Sequence, residues 1–189
     1  MGYAIAEAFA EQGALVTLVS GPVSLKVIHP NIQVISVTTA LEMYNVCQQY
    51  FPGTTIAIMA AAVADFTPEK QIGTKVKRGK EDWILSLKPT RDIAASLGMI
   101  KSDKQVLVGF ALETDNELEN AISKLKRKNL DLIVLNSLKD KGAGFQTDTN
   151  KVTLVDRNNN IDTFELKSKA DVAQDIMQKI LELKLQLKI

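Results

Sequence analysis

Lys124 and Lys128 lie four apart in a segment with helical periodicity, so they share one helical face, about 6 Å apart at Cβ. Lys126 and Arg127 fall off that line. Lys75 and Lys77 alternate within Thr74 to Arg78, and in an extended chain alternation points both to one side. Two ammonium groups on a helix and a third on a flap could neutralise a triphosphate. The same charges also suit a solvated surface. Asp65 follows the run TIAIMAAAVA, where the small Ala60, Ala61, Ala62 and Ala64 would let a ligand approach the backbone closely. The other reading is that the alanines serve strand–helix packing and Asp65 is a turn residue. Phe110 stands just before Ala111 at a strand end, where a ring either stacks on a base or joins the core. The one histidine, His29, and the one cysteine, Cys47, exclude a four-ligand Cys/His zinc site and any intrachain disulfide. His29, before Pro30, reads as structural or solvent-exposed, and Cys47 as a small packed hydrophobe. No G-x-G-x-x-G follows a strand and no G-x-x-x-x-G-K-[ST] occurs, and Gly142-Ala143-Gly144 has the wrong continuation for a dinucleotide loop. A nicotinamide-dependent oxidoreductase is therefore disfavoured.

These side chains need a frame, and the chain spells one out. Met1 to Gln12 reads as a helix with Ile5 and Phe9 four apart and Gly13 at its C-terminal cap. Ala14 to Val19 and Ile32 to Val37 read as strands. Thr38 or Thr39 caps a helix to about Gln49, with Leu41, Tyr44, Val46 and Cys47 inward. Thr55 to Ala62 reads as a buried strand. Thr74 to Arg78 and Trp83 to Leu87, joined by Gly79-Lys80-Glu81-Asp82, suggest an antiparallel flap. A helix over Arg91 to Met99, a strand over Gln105 to Phe110, a helix over Asn116 to Lys128 with Leu118, Ile122 and Leu125 inward, and a strand over Leu130 to Leu135 follow. Asn136 to Asn150 is a polar loop. Lys151 to Asp156 and Ile161 to Glu165 form a hairpin around Asn158-Asn159-Asn160, and Ser168 to about Leu183 is the last helix.

Strand and helix alternate, which predicts α/β architecture with a largely parallel sheet. The alternation starts on a helix, so a first strand and its loop are expected to be missing. The 189 residues fit a single domain, 1–189, and 23 basic against 22 acidic side chains give a net charge of +1. That balance argues against a nucleic-acid or membrane-surface module. No apolar run reaches the ~20 residues of a membrane span, and the N-terminus has no signal-peptide pattern, so a cytoplasmic protein is expected.

Seven segments, in order, resemble one family: MGYAIAEAFAEQGALVTLVSGPVSL, TTALEMYNV, AAVADFTPEK, KVKR, VGFALET, KRKNLDLIVLN and GAGFQTDTNKVTL. The family is bacterial phosphopantothenoylcysteine synthetase, the C-terminal half of the bifunctional coenzyme A biosynthesis flavoprotein. The resemblance implies a three-layer Rossmann-like or ribokinase-like fold. It also implies a ligase in which the 4′-phosphopantothenate carboxylate attacks CTP, giving an acyl-cytidylate and pyrophosphate, after which the amine of L-cysteine displaces CMP. Magnesium assists as counterion. By motif, Lys75 is similar to the catalytic flap lysine and Asp65 to a nucleotide ligand. Phe110 matches a CTP-site residue, and Lys124 and Lys128 match two phosphate-binding lysines. Ala60, Ala61 and Ala62 would line the nucleotide pocket. Arg91, Asp92, Ile93 and Ala94 would pass near the cytosine, although Thr90-Arg91-Asp92-Ile93 departs from the usual Asn-Pro-Asp-Ile, and KVKR from the commoner lysine-ended form. No counterpart of the family's acyl-cytidylate-processing asparagine, which precedes Met-Gly there, is found, so impaired catalysis is expected. The resemblance further implies a homodimer, natural fusion to a flavin-binding decarboxylase, and no FMN in this half. Two alternatives are a nucleotide-binding module without catalysis and, less favoured, a Rossmann-type oxidoreductase.

Overall fold

A computed structural model of the chain describes residues 1–70, 72–78, 82–113, 115–137 and 148–186. Its first helix, α1 (Gly2–Glu11), ends where Gly13 takes φ +86°, a conformation that a Cβ would strain. Strands β1 (Val16–Ser20) and β2 (Ile32–Ser36) follow and pair in parallel, Val16 opposite Ile32. Helix α2 (Ala40–Tyr50) opens on a capping box: Thr39 Oγ1 accepts the Glu42 N–H, and the Glu42 carboxylate accepts the Thr38 and Thr39 N–H groups. A 3₁₀ turn over Phe51–Gly53 leads to β3 (Ile56–Met59). Then come β4 (Phe66–Pro68), β5 (Leu87–Pro89), α3 (Ile93–Ile100), β6 (Val106–Glu113), α4 (Glu117–Arg127) and β7 (Leu132–Ser137). The chain continues through β8 (Thr149–Asn150), β9 (Val152–Asp156), β10 (Ile161–Thr163), β11 (Lys167–Ser168) and α5 (Lys169–Gln186).

The main sheet runs β10-β9-β7-β6-β3. Strands β3, β6 and β7 are parallel, whereas β9 is antiparallel to β7 and β10 to β9. The sheet is therefore mixed rather than largely parallel. The antiparallel addition is made by the asparagine-rich turn. Asp156 accepts the N–H groups of Asn158 and Asn160, and Asn159 takes φ 61°, which asparagine tolerates.

Strand β6 shows how the core is built. Val106 and Val108 face α1 and α5, alongside Ile5, Phe9 and Ile176; Leu107 and Ala111 face α3 and α4, alongside Leu97 and Leu125. Covering both faces in this way is what a buried parallel strand requires. At the base of this layer the Asp131 carboxylate, 4% exposed, accepts the Leu107 N–H at 2.7 Å and meets Lys101 at 2.7 Å and Arg157 at 2.8 Å.

Three expectations need correction. The run at Thr55 to Ala62 is a strand only over Ile56–Met59, and each of its residues is half-buried, because β3 has only β6 as a neighbour among the described residues. Leu41 and Leu118 point outward at 56% and 37% exposure, and Met43 and Ala121 take the inward positions. Residues 74–78 and 83–86 hold no strand; the flap is paired only at its base, β4 against β5. Their apolar side chains have no neighbouring layer, and Trp83 is 66% exposed. The expected flap turn at 79–81 and the glycines at 142 and 144 lie outside the described residues. Strands β1 and β2 form a sheet of their own, separate from β3, among the described residues.

Candidate functional site

The loop after β3 and the loop before α3 are tied together. Thr90 donates its N–H to the Asp65 carbonyl at 2.8 Å and its hydroxyl to the Ala64 carbonyl at 2.7 Å. Asp92 then caps α3 by accepting the Ala95 N–H at 3.0 Å. Its other oxygen sits 2.9 Å from Lys128 Nζ, at the far end of α4. Partial burial pushes the Asp92 carboxyl up, but the Ala95 N–H and the Lys128 ammonium outweigh it and hold the group below its ordinary 3.8.

That pair depends on a glycine. A Cβ on Gly98 would lie 2.0 Å from the Lys128 carbonyl oxygen, so only glycine lets α3 and the end of α4 come this close. Asn129, at φ 51°, turns the chain away from α4 and donates its amide to the Gly98 carbonyl at 2.9 Å. The Lys128 side chain thus starts at Gly98 and reaches back along α3 to its cap. One turn earlier on α4, Lys124 contacts the Glu113 carboxylate at the carboxyl end of β6. Glu113 is 14% exposed at its side chain, Lys124 37%. Asn120 holds the intervening turn by donating its amide to the Asp115 carbonyl at 2.9 Å.

Lys124 and Lys128 are therefore side by side, each held by a carboxylate from a different element. The pairing of Glu113 with Lys124 is not read from the sequence; an acidic residue closing a strand just before a lysine-bearing helix is the available signal. The other candidates fall around this pair to different degrees. Ala60 is half-buried, Ala61, Ala62 and Asp65 are exposed, and all four lie in the loop after β3. Arg91 lies over the Tyr44 ring, 4.8 Å from its centroid, which ties the loop before α3 to α2. The Ile93 side chain is buried in the core with Leu97, and Ala94 packs against the same cluster, so only their backbone fronts the loop. Phe110 is half-buried and packs on the α1 and α5 side of β6, the face opposite α4. Lys75 is exposed in a segment without regular structure and joins neither carboxylate pair.

A cleft of about 440 Å³ opens beside the carboxyl ends of β1 and β2, lined by Tyr3, Ser20, Gly21, Pro22, Lys26 and Thr38 among others. Tyr3 donates its hydroxyl to Ser20 Oγ at 3.0 Å. The place of Tyr3 depends on how α1 lies across β1, which periodicity along the chain does not specify. Among the described residues, no group of three His, Cys, Asp or Glu side chains is placed to hold a metal ion. No helix among them is long and apolar enough to cross a membrane.

A family model described as DNA/pantothenate metabolism flavoprotein C-terminal domain matches residues 1–183. A protein from an unidentified prokaryote named cysteine/cysteine sulfinic acid decarboxylase is 57% identical over 183 residues, 97% of this chain and 51% of that one. The coenzyme A biosynthesis bifunctional protein CoaBC of Bacillus subtilis (strain 168) is 43% identical over 186 residues, 98% of this chain and 46% of that one. The chain thus spans about half the length of these curated relatives. Among solved structures, the C-terminal domain of a CoaBC protein superposes with TM-score 0.78 at 34% identity, covering 97% of this chain and 81% of that one. A mutant of Cab2 in complex with phosphopantothenate-cysteine shares the fold, with TM-score 0.63 at 20% identity, covering 83% of this chain and 54% of that one.

Proposed function

The chain belongs to the DNA/pantothenate metabolism flavoprotein C-terminal domain family, and on that footing we propose that it is the ligase half of a coenzyme A biosynthesis protein. In this reading it joins 4′-phosphopantothenate to L-cysteine. The carboxylate of 4′-phosphopantothenate attacks the α-phosphorus of CTP; the bond to the β-phosphate breaks and pyrophosphate leaves. The cysteine amine then attacks the acyl carbon of the acyl-cytidylate, loses a proton, forms the amide and expels CMP.

One observation carries the reading: two lysines stand four apart at one site, each held by a carboxylate. A polyphosphate entering there would take over as partner of both ammonium groups, trading charge-assisted hydrogen bonds for others of similar strength. Lys124 and Lys128 bind the β- and γ-phosphates. Asp65 and the backbone of Ala60, Ala61 and Ala62 contact the nucleoside side of the ligand. Arg91, Asp92, Ile93 and Ala94 border the base; Phe110, inside β6 and on its face opposite α4, bears on the CTP site only from the other side of the sheet. Lys75, on the flap, closes on the reacting phosphates. Magnesium enters bound to the triphosphate, as part of the substrate, because the described side chains offer no dedicated cage.

A homodimer fits the flap, where Trp83, Ile84 and Leu85 are 66%, 87% and 51% exposed and call for a covering surface. Fusion to a flavin-binding decarboxylase, with FMN held there and not here, and a cytoplasmic location complete the reading. The 57%-identical protein carries a decarboxylase name; paired lysines suit anion capture better than loss of carbon dioxide.

Thermal shift against CTP, ATP and NADH, each with magnesium, tests the nucleotide. Saturation at 100 times the dissociation constant should add about 2.7 kcal/mol of stability. A shift with CTP that disappears in Lys124→Ala/Lys128→Ala is expected, followed by CTP-dependent release of pyrophosphate when 4′-phosphopantothenate and cysteine are added. A shift with NADH alone would overturn the ligase reading; CTP binding without any turnover would leave a nucleotide-binding module.

A further inference from the structure

Helices fray at their ends, and Lys128 is the residue on which α4 ends, one turn past Lys124. Left to itself, that end would let the spacing of the two lysines drift. Here it is held at three points. The Leu130 N–H bonds the Leu125 carbonyl at 2.9 Å and the Asn129 N–H the Lys126 carbonyl at 3.2 Å. With Asn129 left-handed at φ 51°, the last turn closes in a Schellman motif. Leu130 is buried and seats on Gly109 of β6, where a Cβ would lie 2.6 Å from its Cδ1. Gly98 then brings α3 against the Lys128 carbonyl, and the Asn129 amide clasps the Gly98 carbonyl at 2.9 Å. Apolar packing accounts for Leu130, which joins the core under α4. It does not account for the clasp, which joins a bare backbone to a polar side chain and leaves a lysine fixed beside Asp92.

We infer that Gly98 and Asn129 are positioning residues for the polyphosphate end of the ligand. They hold Lys128 one turn from Lys124, so that a single ligand engages both ammonium groups, and they thereby set a preference for a nucleoside triphosphate over the diphosphate. The inference rests on the ligase reading and adds to it what fixes the phosphate count. A lysine stem is flexible, and its ammonium is a point charge without the fixed fork of a guanidinium. Whatever geometry the pair has must therefore come from its backbone roots. Roots one turn apart are separated by about 5.4 Å along the helix axis. Neighbouring phosphates of one chain each take one ammonium across that span, whereas a ligand one phosphate shorter leaves one lysine to its carboxylate. With the clasp open, the Lys128 root moves with the fraying end, and the terminal phosphate is the group that loses its partner. Gly98 and Asn129 touch no ligand; both act through Lys128.

The test measures the affinity of the 189-residue chain for CTP, CDP and CMP, each with magnesium, by calorimetry. Asn129→Gly is the informative variant, because glycine keeps the left-handed helix end and loses only the amide. Expected is about a tenfold or greater loss for CTP, the worth of one hydrogen bond to a charged group. CDP should lose less and CMP nothing, with the melting temperature little changed. Gly98→Ala, which drives the Lys128 carbonyl away, should give the same order of losses more strongly. A cycle with Lys128→Ala supplies a readout that packing alone would not move. On that background Asn129→Gly should cost CTP affinity less than about twofold, because the residue it acts through is gone. An unchanged ratio of CTP to CDP affinity in Asn129→Gly, equal losses for all three ligands, or full additivity with Lys128→Ala would each overturn the inference. An unaltered chain that binds none of the three fails earlier and takes the ligase reading with it, which tells that failure apart from a failure of the clasp.

Discussion

Strands β1 and β6 are built from the same kind of residues and meet opposite fates. VTLVS in β1 and VLVGFALE in β6 are both made mostly of β-branched and aliphatic residues. Val106, Leu107 and Val108 are fully buried, while β1 has no fully buried residue (Ser20 comes nearest at 8% exposure) and Leu15 just before it is 88% exposed. The difference is in neighbours. Among the described residues, strand β6 has a strand on each side and helices on both faces, and β1 has one strand beside it. Burial belongs to a strand's place in the sheet and only secondarily to its composition.

Asp131 is the polar anchor of the buried half, with two cations and the Leu107 N–H on one carboxylate. Asp131→Ala leaves Lys101, 5% exposed at its side chain, without its partner. We expect about 3–5 kcal/mol lost in urea unfolding; a loss under 1 kcal/mol would mean that the buried half does not rest on this network. Next comes a matched pair. Leu107→Ala should cost about 2–5 kcal/mol, and Leu18→Ala, on the half-covered strand, about 1 kcal/mol or less. Equal penalties would remove the distinction between the two regions. The smallest effect is at the site. Asp92 titrates below its ordinary 3.8 in the folded chain. Its stabilisation is thus complete above the unfolded value and is lost as pH falls through the folded one. Asp92→Asn should therefore lower the melting temperature slightly at pH 7 and not at all near pH 2. The carboxylate is 48% exposed, so solvent screening keeps the effect small. A larger loss at pH 2 than at pH 7 would reverse the sign of the argument.

Much of the frame was readable because local rules and tertiary packing agree. Thr39 with Glu42 spells a helix start, Gly13 a helix stop, and Asn158-Asn159-Asn160 a hairpin turn, each by short-range chemistry. Leu41 and Leu118 were misassigned because helical periodicity gives a face but not which edge of it meets the sheet. The flap was misassigned because alternation in TKVKR and WILSL states a preference that no neighbouring layer takes up. At the site, the lysine spacing was legible, and the carboxylates facing it were not. Glu113 and Lys124 are eleven residues apart, and Asp92 and Lys128 thirty-six. Such pairings come from the crossover of β6 into α4 and from the contact that Gly98 permits.

The carboxylate partners of Lys124 and Lys128 bear on how a ligand arrives. Each positive charge is cancelled at contact distance, and the chain as a whole carries only +1. Little field extends beyond a Debye length of about 8 Å in physiological salt. An anionic ligand is therefore not drawn in from afar, and its encounter rate should barely respond to ionic strength. On the proposed reading, the attraction would be released only at close range, when phosphate oxygens displace Glu113 and Asp92, and selection would be by fit at contact.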